Sequence, residues 1–418
     1  MFLKADNRIA AGKEWQAPTT IWNPMFISIF LANGLLNLCQ QMSNVQLSVY
    51  ADSLGASSGQ VGSLFSMFAV TAFFFRFVSG PAMNSFNRKK LVSISIAIMA
   101  TAYAGFGLSP VIASLTGLNV ISVLKFFRAL QGVGNAFANS TYMAMVADVL
   151  PRDKFTSGMG FYACASVVSQ CLGPVVGEFL GKTLGYTTSY LLVSLCTFLS
   201  ILLAFPIRLA PRNKIPFRMN LTNIIAVEAL VPGGALVFLH VAFTSISAFL
   251  VVYAEKRGIQ GVSAYFTVYA LAMLASRPLL GKLTDKYGFV KVGIPAACIT
   301  AVSLILIGYA SSLPMLLCVG ALNAFGYGAC QPALQSLCMK SVPSERRGSA
   351  SSTSYMCQDI ATIAGPIICG KVGDALGYVP AIWQVMCIPI VLGVIFLFIF
   401  RKRIDTIEAD FKARSSAG

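Results

Sequence analysis

"RFVSGPAMNSFNRKK" fills residues 76–90 and "RPLLGKLTDKYGFVK" fills residues 277–291. Both stretches begin with an arginine inside an apolar run, carry a glycine one helical turn later and end in a short basic connection. Arg76 thus aligns with Arg277 and Gly80 with Gly281. A second pair repeats the relation: "LPRDKFTSG…LGPVVGEFLGKTLGY" (150–186) against "VPSERRGSA…AGPIICGKVGDALGY" (342–378), with Gly173 and Pro174 over Gly365 and Pro366. The chain is written twice from one plan, and repeats of this kind place a substrate site between the halves near the bilayer midplane.

The composition says what solvates the plan. Of 418 residues, 56% are hydrophobic and only 11% charged, where soluble domains carry about a quarter charged residues. A bilayer-crossing helix needs roughly 20 apolar residues. Twelve runs of that order are legible: 25–50, 60–83, 90–109, 118–147, 157–181, 186–207, 231–254, 263–284, 291–311, 314–339, 349–371 and 379–400. The expected organisation is a tail (1–24), a first six-helix bundle (25–207), a linker with an amphipathic helix (208–230), a second bundle (231–400) and a basic tail (401–418).

A net charge of +16 would suggest nucleic acid in a soluble chain, but here the charges cluster between apolar runs, and no nucleic-acid partner is expected. With twelve spans, the tails and even-numbered connections hold most of the 31 lysines and arginines; the other side holds Lys182, Lys256, Arg257 and Lys371. Positive charge stays on the cytoplasmic side, so both termini are expected there. Eleven scattered cysteines and a single histidine lack metal-ligand spacing, so neither a metal nor a cofactor is expected. No cleavable leader is expected, because no A-x-A pattern follows the first apolar run.

Polar residues inside the spans form stripes at helical spacing. They are Asn33, Asn37, Gln40, Gln41 and Asn44 in span one; Arg128, Gln131, Asn135 and Asn139 in span four; His240, Thr244 and Ser247 in span seven; and Asn323, Tyr327, Gln331 and Gln335 in span ten. Each stripe must face something other than lipid. Asp359, ten residues into span eleven, sits about 15 Å deep at the helical rise, and Glu178 is the other acid placed well inside a span. Charged groups at such depth cost about 2.5–3.5 kcal/mol on insertion scales and mark function. Burial disfavours a carboxylate and a neighbouring guanidinium favours it, so Asp359 or Glu178 is the expected proton carrier. Arg128 is expected to tune that carrier or to bind an anionic substrate group.

These stretches resemble the major facilitator superfamily over nearly the whole chain. The connection after span two resembles the G-x-x-x-D-R-x-G-R-K signature, with Gly80, Arg88 and Lys89 in place but Asn84, Ser85 and Asn87 departing. Its second copy keeps Gly281, Asp285 and Gly288. Span four is similar to R-x-x-Q-G-x-G-A-A, with Asn135 replacing the first alanine, and span five is similar to the antiporter signature G-x-x-x-G-P-x-x-G-G, with Ser169 and Glu178 departing. The resemblance implies an all-α membrane fold in which spans one, four, seven and ten line a central cavity. It further implies that the signature carboxylate caps a neighbouring helix and latches the halves, so Asn84 is expected to latch more softly than Asp285.

The expected function is proton-coupled export of a small molecule by alternating access. Proton-linked uptake or facilitated diffusion is the alternative, and a transport-dead sensor is a more distant one. No phosphate-binding G-x-x-x-x-G-K-[ST] is present and no nucleophile–base pair is visible, so no enzyme is expected. The expected setting is a monomer in the lipid bilayer of a prokaryotic plasma (inner) membrane, with the substrate and protons as its other partners.

Overall fold

A computed structural model describes residues 19–56, 58–204, 206–207, 216–376 and 380–416. Among the described residues the regular structure is helical, without a strand. In order they form α1 (Pro24–Ser53), α2 (Ser58–Ser85), α3 (Arg88–Gly107), α4 (Ser109–Thr116), α5 (Val120–Val149), α6 (Phe155–Leu184), α7 (Tyr186–Ala204) and α8 (Leu221–Ile224). There follow α9 (Leu230–Lys256), α10 (Ser263–Tyr287), α11 (Phe289–Tyr309), α12 (Leu313–Lys340), α13 (Arg347–Leu376), α14 (Ala381–Ile399) and α15 (Arg401–Ser416).

Local signals set the ends. Asn23, Asn87 and Asn119 stand just before α1, α3 and α5, and their side chains accept the orphan amides of Phe26, of Lys89 and Lys90, and of Ile121, as N-caps do. Gly288 turns the chain from α10 into α11 at φ 84°, a conformation that costs glycine no side-chain clash.

Packing follows the repeat. In the first half α1 packs on α6, α2 and α3 on α5, and α3 on α7; in the second, α9 packs on α13, α10 and α11 on α12, and α11 on α14. The halves meet where α2 lies against α13 and α6 against α10. Polarity is inverted relative to a soluble protein: Arg76, Arg88, Arg128, Arg277 and many amides are buried, while Phe74, Phe126, Phe179, Leu202 and Ile399 are exposed. Surfaces of that kind are solvated by lipid.

Among the described residues, nine helical stretches are long and apolar enough to cross a membrane, or ten if the pair α4–α5, bent by 120°, counts as one. α10 and α13 fall outside that set because they carry charge: Arg277, Lys282, Asp285 and Lys286 on one, Arg347, Asp359 and Lys371 on the other. Both lie in the seam, where Arg277, Asp285, Arg347 and Asp359 meet the opposite half, while Lys282, Lys286 and Lys371 are exposed.

Three expectations change. The break before span four is itself a helix, α4. The linker helix reduces to the four residues of α8 followed by a 3-10 turn at Val227–Ala229, while 208–215 lie outside the described residues, as does the first tail up to residue 18. The second tail, expected only as a basic segment, folds as α15, because its apolar Ile404, Ile407 and Phe411 are buried against the bundle.

Candidate functional site

A cavity of about 170 Å³ opens where the halves meet. From α1 it is lined by Asn33 and Asn37, from α5 by Asn139 and from α12 by Gln331 and Gln335. The stripes of spans one, four and ten thus converge there in part. The rest of the lining comes from the seam helices: Tyr162, Ala163, Ser166 and Gln170 on α6, Arg277 on α10, Tyr355 and Gln358 on α13. Those seam residues were not singled out as cavity residues in the sequence. The sequence carries a signal for them, since Ser166 and Gln170, and Tyr355 and Gln358, are polar pairs at helical spacing.

The remaining stripe residues sit elsewhere. Arg128 is 1% exposed within its own half. It donates to Gln131 (2.5 Å) and Asn44 (3.0 Å) and lies over the rings of Phe68 and Phe65. Gln131 donates onward to the Tyr103 hydroxyl at 3.1 Å, and Asn44 donates to Gln41 at 3.1 Å. Asn323 likewise faces α11, donating to Ser303 at 2.6 Å. These groups face neighbours within one half because α5 and α12 each pack on two helices of their own bundle, so only part of each stripe reaches the centre. Asn135 accepts from Asn139 at 2.8 Å, and the Gln40 carbonyl is buried without a partner.

In the second half His240 hydrogen-bonds Tyr327 through Nδ1 and sits 3.3 Å from the Thr362 hydroxyl through Nε2. The Tyr327 ring stacks on Phe243 with centroids 4.7 Å apart. Thr244 donates to backbone carbonyls, Ala361 among them at 3.2 Å, and Ser247 is exposed.

Asp359 pairs with Arg76 rather than with Arg128. Arg76 Nη1 also donates to Ser140 at 3.2 Å, and its guanidinium lies 4.7 Å over the Tyr355 ring. The partner differs from the expected one because α13 packs on α2 and places the carboxylate opposite that helix. Asp359 itself is not sealed: its side chain is 24% exposed, beside the cavity residues Tyr355 and Gln358. Glu178 stands on the exposed flank of α6 and pairs with Lys182 one turn on, at 2.5 Å. Its depth in the sequence did not mean burial.

The signature residues at the ends of α2 and α10 meet helix starts across the seam. The Asp285 carboxylate accepts the first amides of α6, Thr156 at 2.9 Å and Ser157 at 2.8 Å, and the Ser157 hydroxyl at 2.7 Å. Asn84 takes the corresponding place at the start of α13, but there it donates to the Ser349 hydroxyl at 2.7 Å, and its carbonyl oxygen is buried without a partner. Glycine permits both approaches: a Cβ on Gly281 would meet Ser157 Cα at 2.9 Å, and one on Gly80 would meet Ser349 Cα at 3.3 Å. Gly173 and Gly365 do the same within each half, against α1 and α9, while α6 and α13 continue through Pro174 and Pro366. At the same end Asp148 joins Arg88 of its own half to Arg347 of the other, the latter at 3.0 Å.

The sequence model of the Major Facilitator Superfamily matches residues 29–366 and 233–415. The chain is 24% identical over 377 residues to the multi-drug resistance efflux pump PmrA homolog of Lactococcus lactis, covering 85% of this chain and 90% of that protein. It is 20% identical over 395 residues to the staphylopine export protein of Staphylococcus aureus, covering 90% and 96%. Among solved structures it resembles the human organic anion transporter MFSD10 (TM-score 0.75, 18% identity, 90% of this chain and 99% of that one). It also resembles a bacterial homologue of the iron transporter ferroportin in its outward-facing state (TM-score 0.77, 14% identity, 90% and 99%). With its repeated helical halves, its polar cavity between them and a family match over most of its length, the chain belongs to the major facilitator superfamily of membrane transporters.

Proposed function

We propose that this transporter exports a small molecule in exchange for protons, with Asp359 as the proton-carrying group. The observation that supports the reading is the Arg76–Asp359 pair. It joins α2 of one half to α13 of the other beside the cavity, so rocking the halves apart must break it. Protonation neutralises the carboxylate and removes the ionic part of that bond, and this ties proton occupancy to the position of the halves. The efflux functions named for two relatives support the direction.

In this reading twelve helices cross the inner membrane of a prokaryote, both termini face the cytoplasm and the chain acts as a monomer. Asp285, Asn84 and the Arg88–Asp148–Arg347 cluster then close the cytoplasmic side, which makes the described state outward-facing. Glu178 and Arg128 take no part in proton carriage.

The test uses everted membrane vesicles energised to an acidic interior and supplied with a soluble metabolite extract and common drugs, with uptake read by mass spectrometry. The wild-type chain is expected to accumulate solute until a protonophore is added. Asp359→Asn is expected to lose that accumulation while keeping downhill exchange. Accumulation that survives the protonophore or the substitution removes proton coupling at Asp359, and the absence of any accumulated solute removes export.

A further inference from the structure

Arg76 and Arg277 hold equivalent places in the repeat, one turn before Gly80 and Gly281, yet only one of them has a carboxylate. Arg76 meets Asp359 on α13. The two Gly-Pro pairs are 192 residues apart, and that offset places Val167 of α6 where Asp359 stands on α13. Val167 is 2% exposed and packs into the apolar core of the second half. Arg277 therefore has only neutral acceptors, the Ala163 carbonyl through Nη1 and Gln331 Oε1 at 2.9 Å through Nη2. Among the described residues no carboxylate pairs with it. Its Nε is buried without a hydrogen-bond partner, and the residue is 5% exposed.

This uncompensated guanidinium lines the central cavity. The rest of the wall offers carboxamides, two tyrosines and a serine, with no acidic side chain. Asn33, 2% exposed, adds a second unpaired group, its carbonyl oxygen. A buried cation without a counter-ion is costly, and a planar guanidinium favours a carboxylate that can take two of its N–H groups at once. A lipophilic cation would meet an unpaired positive charge, and the carboxylate beside the cavity, Asp359, is already paired with Arg76.

We infer that the transported solute carries a carboxylate and that Arg277 binds it, the solute supplying the counter-charge that Asp359 supplies to Arg76. The surrounding amides suit hydroxyl, amino or amide groups on the same solute. A cavity of about 150 Å³ holds a molecule the size of benzene, so the enclosed part of the solute is comparably small. The inference rests on the proposed export and names the chemical class exported.

The accumulated solutes of the everted-vesicle experiment are identified individually, with vector-only vesicles as control. The expected result is that they are carboxylates. Arg277→Gln is expected to lower their uptake by at least about tenfold, the loss for a charge-assisted contact, and Arg277→Lys to retain part of it. The wild-type protein, purified in detergent, is expected to be stabilised against heat by an accumulated carboxylate and not by its methyl ester, a measurement that does not depend on the variants folding. Accumulation of neutral or cationic solutes alone overturns the carboxylate inference and leaves export standing. Carboxylate uptake and stabilisation indifferent to Arg277→Gln and to esterification overturn the role of Arg277. No accumulation of any solute overturns export itself, and the inference with it.

Discussion

Arg128 carries a charge at a depth where charge is expensive, and it is held by neutral groups: two amides and two aromatic faces. Each contact on its own is weak, but together they enclose the guanidinium, as the hydrogen bonds to Gln131 and Asn44 and the rings of Phe65 and Phe68 show. Truncation empties that space and strands the two amide oxygens. Arg128→Ala is therefore expected to destabilise the first half by about 3 kcal/mol, read as a fall in the apparent melting temperature of the detergent-solubilised protein. Wild-type thermal stability in that variant would contradict the packing role. Asp359 is the contrasting case, because its partner lies in the other half, so that the proposed rocking of the halves breaks and remakes its bond.

At the scale of elements, each seam has a helix start facing the last turn of a helix from the other half. A helix N-terminus favours a carboxylate through its free amides and its dipole. Asp285 supplies one to α6, whereas Asn84 supplies α13 with an uncharged amide whose oxygen stays unpaired. Asn84→Asp is expected to close that end further by about 1 kcal/mol, roughly a fivefold change in population. The check is the labelling rate of a single cysteine placed at that end in a cysteine-depleted background; an unchanged rate contradicts the capping argument.

The helix α15 adds a second device at the same end. Glu408 accepts the Phe289 amide at the start of α11 (3.1 Å), Phe411 packs edge-on against Phe155 of the first half, and Arg414 donates to the Lys340 carbonyl (2.6 Å). Burial raises the Glu408 pKa above its ordinary 4.5, with Lys340 opposing. The docked helix thus holds this proton more tightly than the undocked one, so docking is strongest below about pH 4.5 and weakens as pH rises through the raised value. Hydrogen exchange of α15 amides, corrected for intrinsic rates, is expected to quicken across that window. Glu408→Gln keeps the accepting oxygen and is expected to flatten the dependence; an unaltered pH profile in that variant assigns the effect elsewhere.

At the scale of the whole molecule, two bundles of like design touch through α2–α13 and α6–α10, and the proposed alternating access requires those contacts to part. Ser79 and Ser352 face each other there with hydroxyls 2.8 Å apart. In a cysteine-depleted background, Ser79→Cys with Ser352→Cys is expected to form a disulfide under mild oxidation and to stop transport, with recovery on reduction. Full transport by the cross-linked protein would show that the halves do not separate at this seam.

Much of the architecture was legible because lipid imposes it. Long apolar runs follow from the need to satisfy every backbone group inside a bilayer and basic connections from the bias of positive charge to one side; these, and the doubled glycine-arginine pattern, can be read one segment at a time. The buried arginines were legible too, as charges at a depth where charge requires a reason. What each charge meets was not. Helical spacing gives the face of a residue but not the neighbour opposite that face, so Asp359 could not be assigned to Arg76 over Arg128, nor Glu178 to the exposed flank of α6. The cavity residues of α6 and α13 and the docking of α15 were hidden for the same reason. The sequence by itself determined that this chain crosses a membrane as two repeated helical halves with polar stripes inside them. Only the tertiary structure decided which polar groups share the central space, because partners some 280 residues apart, such as Arg76 and Asp359, are chosen by how the helices pack.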